Sequence, residues 1–290
     1  MKKGYTYGAE LEYADVNRTQ LLPHGCLWDR KDYTIVNSNG VANDPLGELC
    51  IYGGEINTRP TDSIKDQVHL FDQINKFLLP SPVVNYRCNL HIHIGVPGLR
   101  DNLKFLKRLL VFIVDNSFEA YKIVDPIPHP NRFDYPSNEA YSGAMTRFKR
   151  RLKSHQHQLP KSVVQSILAA STTDEFFINH APKSNGNPVW HLMCRAGINL
   201  FQMYKETPTI EFRHFPGTTN SKEFESALVW CDGFTRIALG HAEGDLKHLS
   251  RSFDFKFPRF MKYDHELELG YRNTSINHVP RSELKKRILL

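Results

Sequence analysis

The chain has 290 residues, of which 40% are hydrophobic and 23% are charged. This length and composition indicate a globular protein with a large buried core, and they exclude the fibrous and intrinsically disordered classes. The formal net charge is +6, which favours anionic partners such as nucleotides, nucleic acids or acidic substrates without choosing among them.

The start of the chain and its cysteines predict a cytoplasmic protein. Lys2 and Lys3 are followed by Gly4 and Tyr5, not by the apolar segment of a secretion signal. The longest apolar run, residues 109–114, is far shorter than the roughly 20 residues that cross a bilayer, so no membrane partner is expected. The cysteines number five and form no CxxC pair, which argues against a complete set of disulfides.

The residue pattern along the chain predicts a mixture of strands and helices. Alternating apolar and polar residues predict strands over residues 5–13, 49–57, 88–96 and 198–215, the last as a hairpin that turns near residues 206–208. Helical spacing of apolar residues predicts helices from Thr61 or Asp62 to Pro80, over residues 101–121, twice within residues 138–168, and from Asn220 or Ser221 onward. Residues 172–188 are predicted as a polar loop.

The domain organisation follows from the same pattern. The sequence contains no internal repeat and no heptad run, which excludes solenoids and coiled coils. We therefore predict one folded domain over residues 1–245, with an irregular, basic extension over residues 246–290 that packs on it.

Three predicted strands each carry a polar pair flanked by apolar residues. The pairs are Glu10 with Glu12, His91 with His93, and Glu211 with Arg213. Side chains two residues apart in a strand point to the same side of a sheet, so each pair shares one face. Glu55 lies in a fourth predicted strand, after two glycines that permit close backbone approach. If these strands form one sheet, one face is apolar and the other collects carboxylates, imidazoles and a guanidinium.

The polar face indicates a site for divalent cations and phosphate. Crowded carboxylates repel one another, and this repulsion is relieved when their oxygens bind a hard dication such as Mg²⁺ or Mn²⁺. Such metals bind phosphate oxygens, and Arg213 beside them is suited to neutralising a phosphoryl group. Each pair alone also fits a structural interpretation: an exposed Glu-x-Glu, a zinc-binding His-x-His, or a salt bridge. The recurrence on several strands favours function.

Several short segments together resemble a known family. They are GAELE at residues 8–12, GEINTRP at 54–60, NLHIHIG at 89–95, RAGINL at 195–200, TIEFR at 209–213 and GT at 217–218. In their order and spacing they resemble the amidoligases of the glutamine synthetase-like superfamily of carboxylate-amine ligases. The resemblance implies an α+β fold: a curved, mainly antiparallel sheet with a polar catalytic face and helices on its other face.

The resemblance also implies an activity and a set of site residues. The activity is ATP- and Mg²⁺-dependent formation of an amide bond through an acyl phosphate, with release of ADP and phosphate, and Mn²⁺ is an alternative metal. The implied metal ligands are Glu10, Glu12, Glu55, His91 and Glu211. The implied ATP-binding residues are His93, Arg195, Arg213 and Asn199, and the implied catalytic residues are Arg213, Arg195 and Glu55.

Other functions stay open at this level. A metal-dependent hydrolase or nuclease would use His91, His93 and two glutamates to activate water. A nucleic-acid-binding or nucleic-acid-modifying protein would use the basic residues between Arg147 and Lys153. The expected partners are small-molecule or peptide carboxylate and amine substrates. A nucleic-acid acceptor and a homo-oligomer are neither indicated nor excluded.

Overall fold

The computed structural model of the chain contains one six-stranded antiparallel sheet, with the strand order Leu27–Asp29, Tyr52–Asn57, Thr6–Val16, Asn89–Gly95, Ile210–Pro216, Ile198–Asn199. The structure describes residues 4–29, 52–79, 81–84, 88–124, 161–180, 183–184, 187–188, 197–204, 207–244, 246 and 249. The strands are β1 (Thr6–Val16), β2 (Leu27–Asp29), β3 (Tyr52–Asn57), β4 (Asn89–Gly95), β7 (Ile198–Asn199) and β8 (Ile210–Pro216). A second sheet pairs β5 (Lys183–Ser184) with β6 (Asn187–Pro188).

Helices in the described residues pack around this sheet. They are α1 (Ile64–Phe77), α2 (Leu103–Val124), α3 (Lys161–Leu168), α4 (Thr173–His180) and α5 (Ser221–Leu239), and a short 3-10 helix spans Phe201–Tyr204. Helices α1, α2 and α5 contact the sheet strands. The sheet and helices confirm the predicted α+β class with antiparallel pairing. Among the described helices, none combines the length and hydropathy that a bilayer crossing requires.

The hydrophobic core lies between the helices and one face of the sheet. Ala9, Leu11 and Tyr13 of β1 are buried there. Phe212 of β8 makes edge-to-face contacts with Trp230 and Phe234 of α5. Because side chains alternate along a strand, the residues between these apolar ones are directed to the opposite face of the sheet.

Helix α5 begins and packs as the sequence predicts. The side chain of Asn220 accepts hydrogen bonds from the backbone N–H groups of Lys222 and Glu223, which makes it the N-cap. The helix ends at Gly240, whose φ of 71° lies in the left-handed region that glycine adopts without strain. The predicted inward-facing residues Phe224, Leu228, Cys231, Phe234 and Ala238 are all fully buried.

The predicted cap of α1 was wrong. Ser63, not Thr61 or Asp62, is the N-cap, because its side chain accepts a hydrogen bond from the backbone N–H of Asp66. Thr61 instead forms an isolated β-bridge with Tyr7. Because Thr61 pairs with β1, the backbone stays extended up to this residue, and the helix begins only after it.

The predicted polar loop over residues 172–188 was also wrong in part, because α4 occupies Thr173–His180. Thr172 accepts a hydrogen bond from the N–H of Glu175, as an N-cap does. Phe176 and Phe177 are both buried, and two adjacent apolar residues give no helical period. The predicted hairpin over residues 198–215 is confirmed in the pairing of β7 with β8, but its first strand is only Ile198–Asn199, and a 3-10 helix follows where the strand was predicted to continue.

Some predicted segments fall outside the described residues. These are the helical segment before Lys161, the basic residues between Arg147 and Lys153, and most of the extension over residues 246–290. The boundary at residue 245 therefore stays a prediction.

Gly217, which follows β8, leaves no room for a side chain. A Cβ at this position would lie 2.7 Å from the Cβ of Cys88 and 3.1 Å from its backbone carbon. We expect Gly217→Ala to lower the free energy of unfolding by about 1–3 kcal/mol, because the backbone has to shift to relieve this overlap. Chemical denaturation measures the change.

Gly8→Ala in β1 is the control for this prediction. Its Cβ would lie 3.8 Å from the nearest atom, the Cβ of His93, which is an ordinary contact. The control should be as stable as the wild type or slightly more stable, because alanine reduces the freedom of the unfolded chain. Equal destabilisation by the two substitutions would contradict the prediction.

Candidate metal centre

The register of the sheet brings the polar residues of four strands to one face. Glu10 of β1 lies opposite His91 of β4, and His93 lies opposite Glu211 of β8. Residues that face each other across an antiparallel ladder point to the same side of the sheet. The common face expected from the sequence is therefore present.

Glu55 and Arg213 belong to the same face. Glu55 of β3 lies opposite Glu12 of β1 in the ladder. Arg213 lies two residues after Glu211 in β8, and its Nη1 donates a hydrogen bond to Oε1 of Glu211. Arg195, which was predicted to bind phosphate, lies outside the described residues.

Three of these residues form a tight cluster at the centre of the polar face. Glu10, His91 and Glu211 each offer one ligand atom, and these atoms lie within 4.8 Å of one another. Nδ1 of His91 lies 2.5 Å from Oε2 of Glu10 and 3.6 Å from Oε1 of Glu211. We refer to Glu10, His91 and Glu211 as the metal triad.

The metal triad fits a divalent cation. Two carboxylates and one imidazole are ligands that Mg²⁺, Mn²⁺ and Zn²⁺ all accept, with the carboxylate oxygens suiting the harder cations. His91 is 5% exposed and Glu211 is fully buried, so water reaches these ligands poorly. Glu12 and Glu55 lie beside the triad on the same face, and Oε1 of Glu12 is 3.9 Å from Nε2 of His91.

Amide side chains hold two of the carboxylates. Oε2 of Glu12 accepts hydrogen bonds from the backbone N–H of Asn89 at 2.8 Å and from its side-chain Nδ2 at 2.7 Å. Oε2 of Glu211 accepts from Nδ2 of Asn199 at 2.7 Å and from Nε2 of Gln202 at 2.9 Å.

His93 links Glu10 to the start of β8. Its Nε2 lies 3.0 Å from Oε1 of Glu10, and its Nδ1 lies 3.0 Å from the hydroxyl of Thr209. Both oxygens of Glu10 thus contact an imidazole, since Oε2 contacts His91. Glu10 is the bridge between the two histidines of β4.

Charge in the cluster shifts the pKa of several groups. Burial by itself raises the pKa of Glu10, but attraction to His91 and His93 outweighs burial and holds that pKa well below its usual range. Burial likewise opposes ionisation of Glu211, and the guanidinium of Arg213 lowers its pKa despite the nearby charge of Glu10. Both carboxylates are therefore ionised at neutral pH, as metal ligands need to be.

His93 shows the opposite balance. Burial lowers its pKa, but attraction to Glu10 and the hydrogen bond to Glu10 outweigh burial, so the pKa of His93 is raised. Burial also opposes the charge of Arg213, and attraction to Glu211 and Glu10 raises the pKa of Arg213 above its already high value. Arg213 is therefore cationic at neutral pH.

The raised pKa of His93 predicts a pH-dependent stability in metal-free buffer. A protonated His93 stabilises the fold through Glu10, fully so below its unfolded-state pKa of about 6.5. This stabilisation is lost as pH rises through the higher folded-state pKa of His93. Urea unfolding at several pH values should therefore show wild type and His93→Gln differing most below about pH 6.5 and converging above the folded-state pKa. A difference that does not change with pH would contradict the prediction.

The residues that surround the metal triad were not among the predicted site residues. Asn89 lies two residues before His91, Asn57 two residues after Glu55, and Thr209 two residues before Glu211, so each shares the polar face by strand alternation. Asn57 donates to Oε1 of Glu55 at 3.4 Å. Strand alternation therefore could have placed these three residues on the polar face.

Gln202 could not be found in this way. It lies in the 3-10 helix, which has no strand period. Asn199 was predicted to bind the cofactor; in the structure it is 1% exposed and donates to Glu211. Its role toward a cofactor stays a prediction.

Comparison with known proteins points to one family. The model of the family described as "Putative amidoligase enzyme" matches residues 138–235, a stretch that includes Asn199, Glu211 and Arg213. The match covers about a third of the chain and shows that this part is similar to the amidoligase family, the family that the sequence motifs also resemble. A search of curated proteins gives no match.

Proposed function

We propose that this chain is an ATP- and Mg²⁺-dependent ligase that joins a carboxylate to an amine. The reaction passes through an acyl phosphate and releases ADP and phosphate. The family match supports ligase chemistry. The glutamine synthetase-like form of the fold, the cytoplasmic location and the use of Mn²⁺ in place of Mg²⁺ are parts of the same proposal.

The observation that carries the proposal is the meeting of the metal triad with Arg213 on one sheet face. Glu10, His91 and Glu211 supply ligand atoms within 4.8 Å of one another. Arg213 contacts Glu211, and its buried Nε has no hydrogen-bond partner among the described residues. A buried N–H donor on a guanidinium suits an anionic oxygen such as that of a phosphate.

The reaction needs this combination of groups. A carboxylate is a weak electrophile, so one of its oxygens first attacks the terminal phosphorus of ATP and ADP leaves. An amine then attacks the carbonyl carbon, the bond to the phosphate oxygen breaks, and the amine loses a proton. A bound dication would supply charge neutralisation on the phosphate oxygens. Arg213 would bind the phosphoryl group, and Glu10, His91 and Glu211 would hold the dication.

Substrates and other site residues complete the proposal. Glu12 and Glu55 are proposed as further metal ligands, since both lie on the polar face beside the triad. His93 and Arg195 are proposed to contact phosphate, and Glu55 and Arg195 to act in catalysis. The partners are small-molecule or peptide carboxylates and amines.

The test is release of ADP with candidate substrates. Purified protein is incubated with ATP, Mg²⁺ and a metabolite mixture divided into carboxylates and amines. The proposal expects ADP release only when both classes are present, because the acyl phosphate is turned over only by an amine. Release that needs neither class would indicate an ATPase and overturn the proposal.

A metal-dependent hydrolase is the alternative that the same triad fits. The metal triad alone is compatible with activation of water, since one imidazole and two carboxylates also hold catalytic metals in hydrolases. That enzyme would cleave ester or phosphodiester bonds with Mn²⁺ or Zn²⁺ and without ATP. Such cleavage, in the absence of ATP-dependent amide formation, would favour the hydrolase.

A further inference from the structure

The carboxylate of Glu211 divides its two oxygens between different neighbours. Oε2 accepts hydrogen bonds from the amides of Asn199 and Gln202, at 2.7 and 2.9 Å. Oε1 is directed to the other side, where it lies 3.6 Å from Nδ1 of His91 and contacts Nη1 of Arg213. The amides therefore occupy one oxygen, and the other faces His91 and Arg213.

Glu12 shows the same division on the other side of His91. Its Oε2 accepts from both the backbone N–H and the side-chain amide of Asn89, at 2.8 and 2.7 Å. Its Oε1 faces Nε2 of His91 at 3.9 Å. Two carboxylates from different strands are thus each held through Oε2, and each directs Oε1 toward His91, Glu12 toward Nε2 and Glu211 toward Nδ1.

We propose that three amide side chains beside the metal triad are positioning residues that fix which oxygen of each carboxylate faces the metal. The amides belong to Asn89, Asn199 and Gln202. The inference rests on the proposed metal site and goes beyond it, because it assigns these residues a role in metal affinity. Asn199 accordingly acts through Glu211 and not by contact with the nucleotide.

An amide suits this task for an electrostatic reason. It donates hydrogen bonds but carries no charge, so it orients a carboxylate without neutralising it. A pair of donors on one oxygen also restricts rotation of the carboxylate. Oε2 of Glu12, for example, accepts hydrogen bonds from both the backbone N–H and the side-chain Nδ2 of Asn89.

The experiment measures the affinity of the nucleotide-free protein for Mn²⁺ by electron paramagnetic resonance. The variants are Asn199→Leu, Gln202→Leu and Asn89→Leu, which replace the amide by an apolar side chain with the same number of heavy atoms, or one fewer for Gln202, and remove the donor. We expect each to bind Mn²⁺ about 10-fold to 100-fold more weakly, the range typical for residues that orient metal ligands. Gln202 is partly exposed, so Gln202→Leu tests the proposal even if the two buried asparagine variants fail to fold.

The direction of the change separates orientation from a general electrostatic effect. Loss of a hydrogen-bond donor makes a carboxylate more basic, which by itself would strengthen its bond to a metal. Weaker Mn²⁺ binding therefore reports lost orientation. Asn199→Asp, which has the same size but no donor, should also bind Mn²⁺ more weakly, although it adds negative charge near the site.

The control is Thr235→Val in α5. Thr235 is fully buried, and its hydroxyl donates to the carbonyl of Cys231, far from the polar face. This variant also loses one buried hydrogen bond, and it should keep the wild-type Mn²⁺ affinity even if its melting temperature falls. A change in Mn²⁺ affinity equal to that of the amide variants would mean that any loss of stability has this effect, and would overturn the inference.

The outcomes distinguish the inference from the proposed function. Wild-type protein that binds Mn²⁺, with amide variants that bind it equally well, overturns the positioning role alone. Mn²⁺ binding that weakens in the amide variants, without any ATP-dependent amide formation, supports the positioning role and overturns the ligase. Wild-type protein that binds no Mn²⁺ overturns both.

Discussion

Glu10→Gln is expected to lower the rate of ATP-dependent amide formation about a thousandfold, because the variant loses one charged ligand of the metal. A thousandfold change corresponds to about 4 kcal/mol of transition-state stabilisation. The variant should still fold. Both neighbours of the Glu10 carboxylate are imidazoles, and an imidazole both donates and accepts, so His91 and His93 can retain contacts to a glutamine amide.

The rate is measured by ADP release in the presence of both substrates, and Mn²⁺ affinity is measured on the same protein. Glu225→Gln provides the matched control. Glu225 is an exposed residue of α5, so this change removes the same charge without touching the polar face. The control should keep the wild-type rate and affinity. Wild-type Mn²⁺ affinity in Glu10→Gln would contradict the assignment of Glu10 as a metal ligand.

Strand alternation made the polar face predictable from the sequence. Glu10 and Glu12 lie between buried apolar residues of β1, and this pattern alone assigns them to one side of the strand. The same reasoning applies to His91 and His93 in β4. Local pattern is sufficient here, because the direction of a strand side chain depends only on its position in the pleat.

The register between strands was not predictable in the same way. In the observed register between β1 and β4, Glu10 faces His91 and Gly8 faces His93. The pattern within each strand does not determine this register. A slip of two residues would keep every apolar side chain in the core and yet assemble a different triad.

Helix α4 was not predicted, for a related reason. The burial of both Phe176 and Phe177 reflects their tertiary surroundings and leaves no helical period in the sequence.

Arg213→Lys is expected to slow the phosphoryl-transfer step about a hundredfold while weakening ATP binding much less, because it keeps the charge and loses the planar fork. A lysine has one compact ammonium, so it cannot hold Glu211 and a phosphate oxygen in the fixed geometry of a guanidinium.

Arg236→Lys is the control for this prediction. Arg236 pairs with Asp232 in α5 and lies over the ring of Tyr5, away from the polar face. It should retain wild-type kinetics.

Heavy oxygen in the carboxylate substrate shows whether this step forms an acyl phosphate. One carboxylate oxygen bonds to phosphorus in the first step, and the bond between that oxygen and the carbonyl carbon breaks when the amine attacks. Inorganic phosphate therefore carries the label, as mass spectrometry detects. With Arg213→Lys we expect the label to appear in phosphate at the reduced rate, since the route is kept and only its transition state is stabilised less. Inorganic phosphate that carries no label, or AMP in place of ADP, would exclude the acyl phosphate even if Mn²⁺ binds at the metal triad. Substrate-dependent transfer of label would in turn exclude a simple ATPase, because water attack on ATP leaves the carboxylate oxygens where they were.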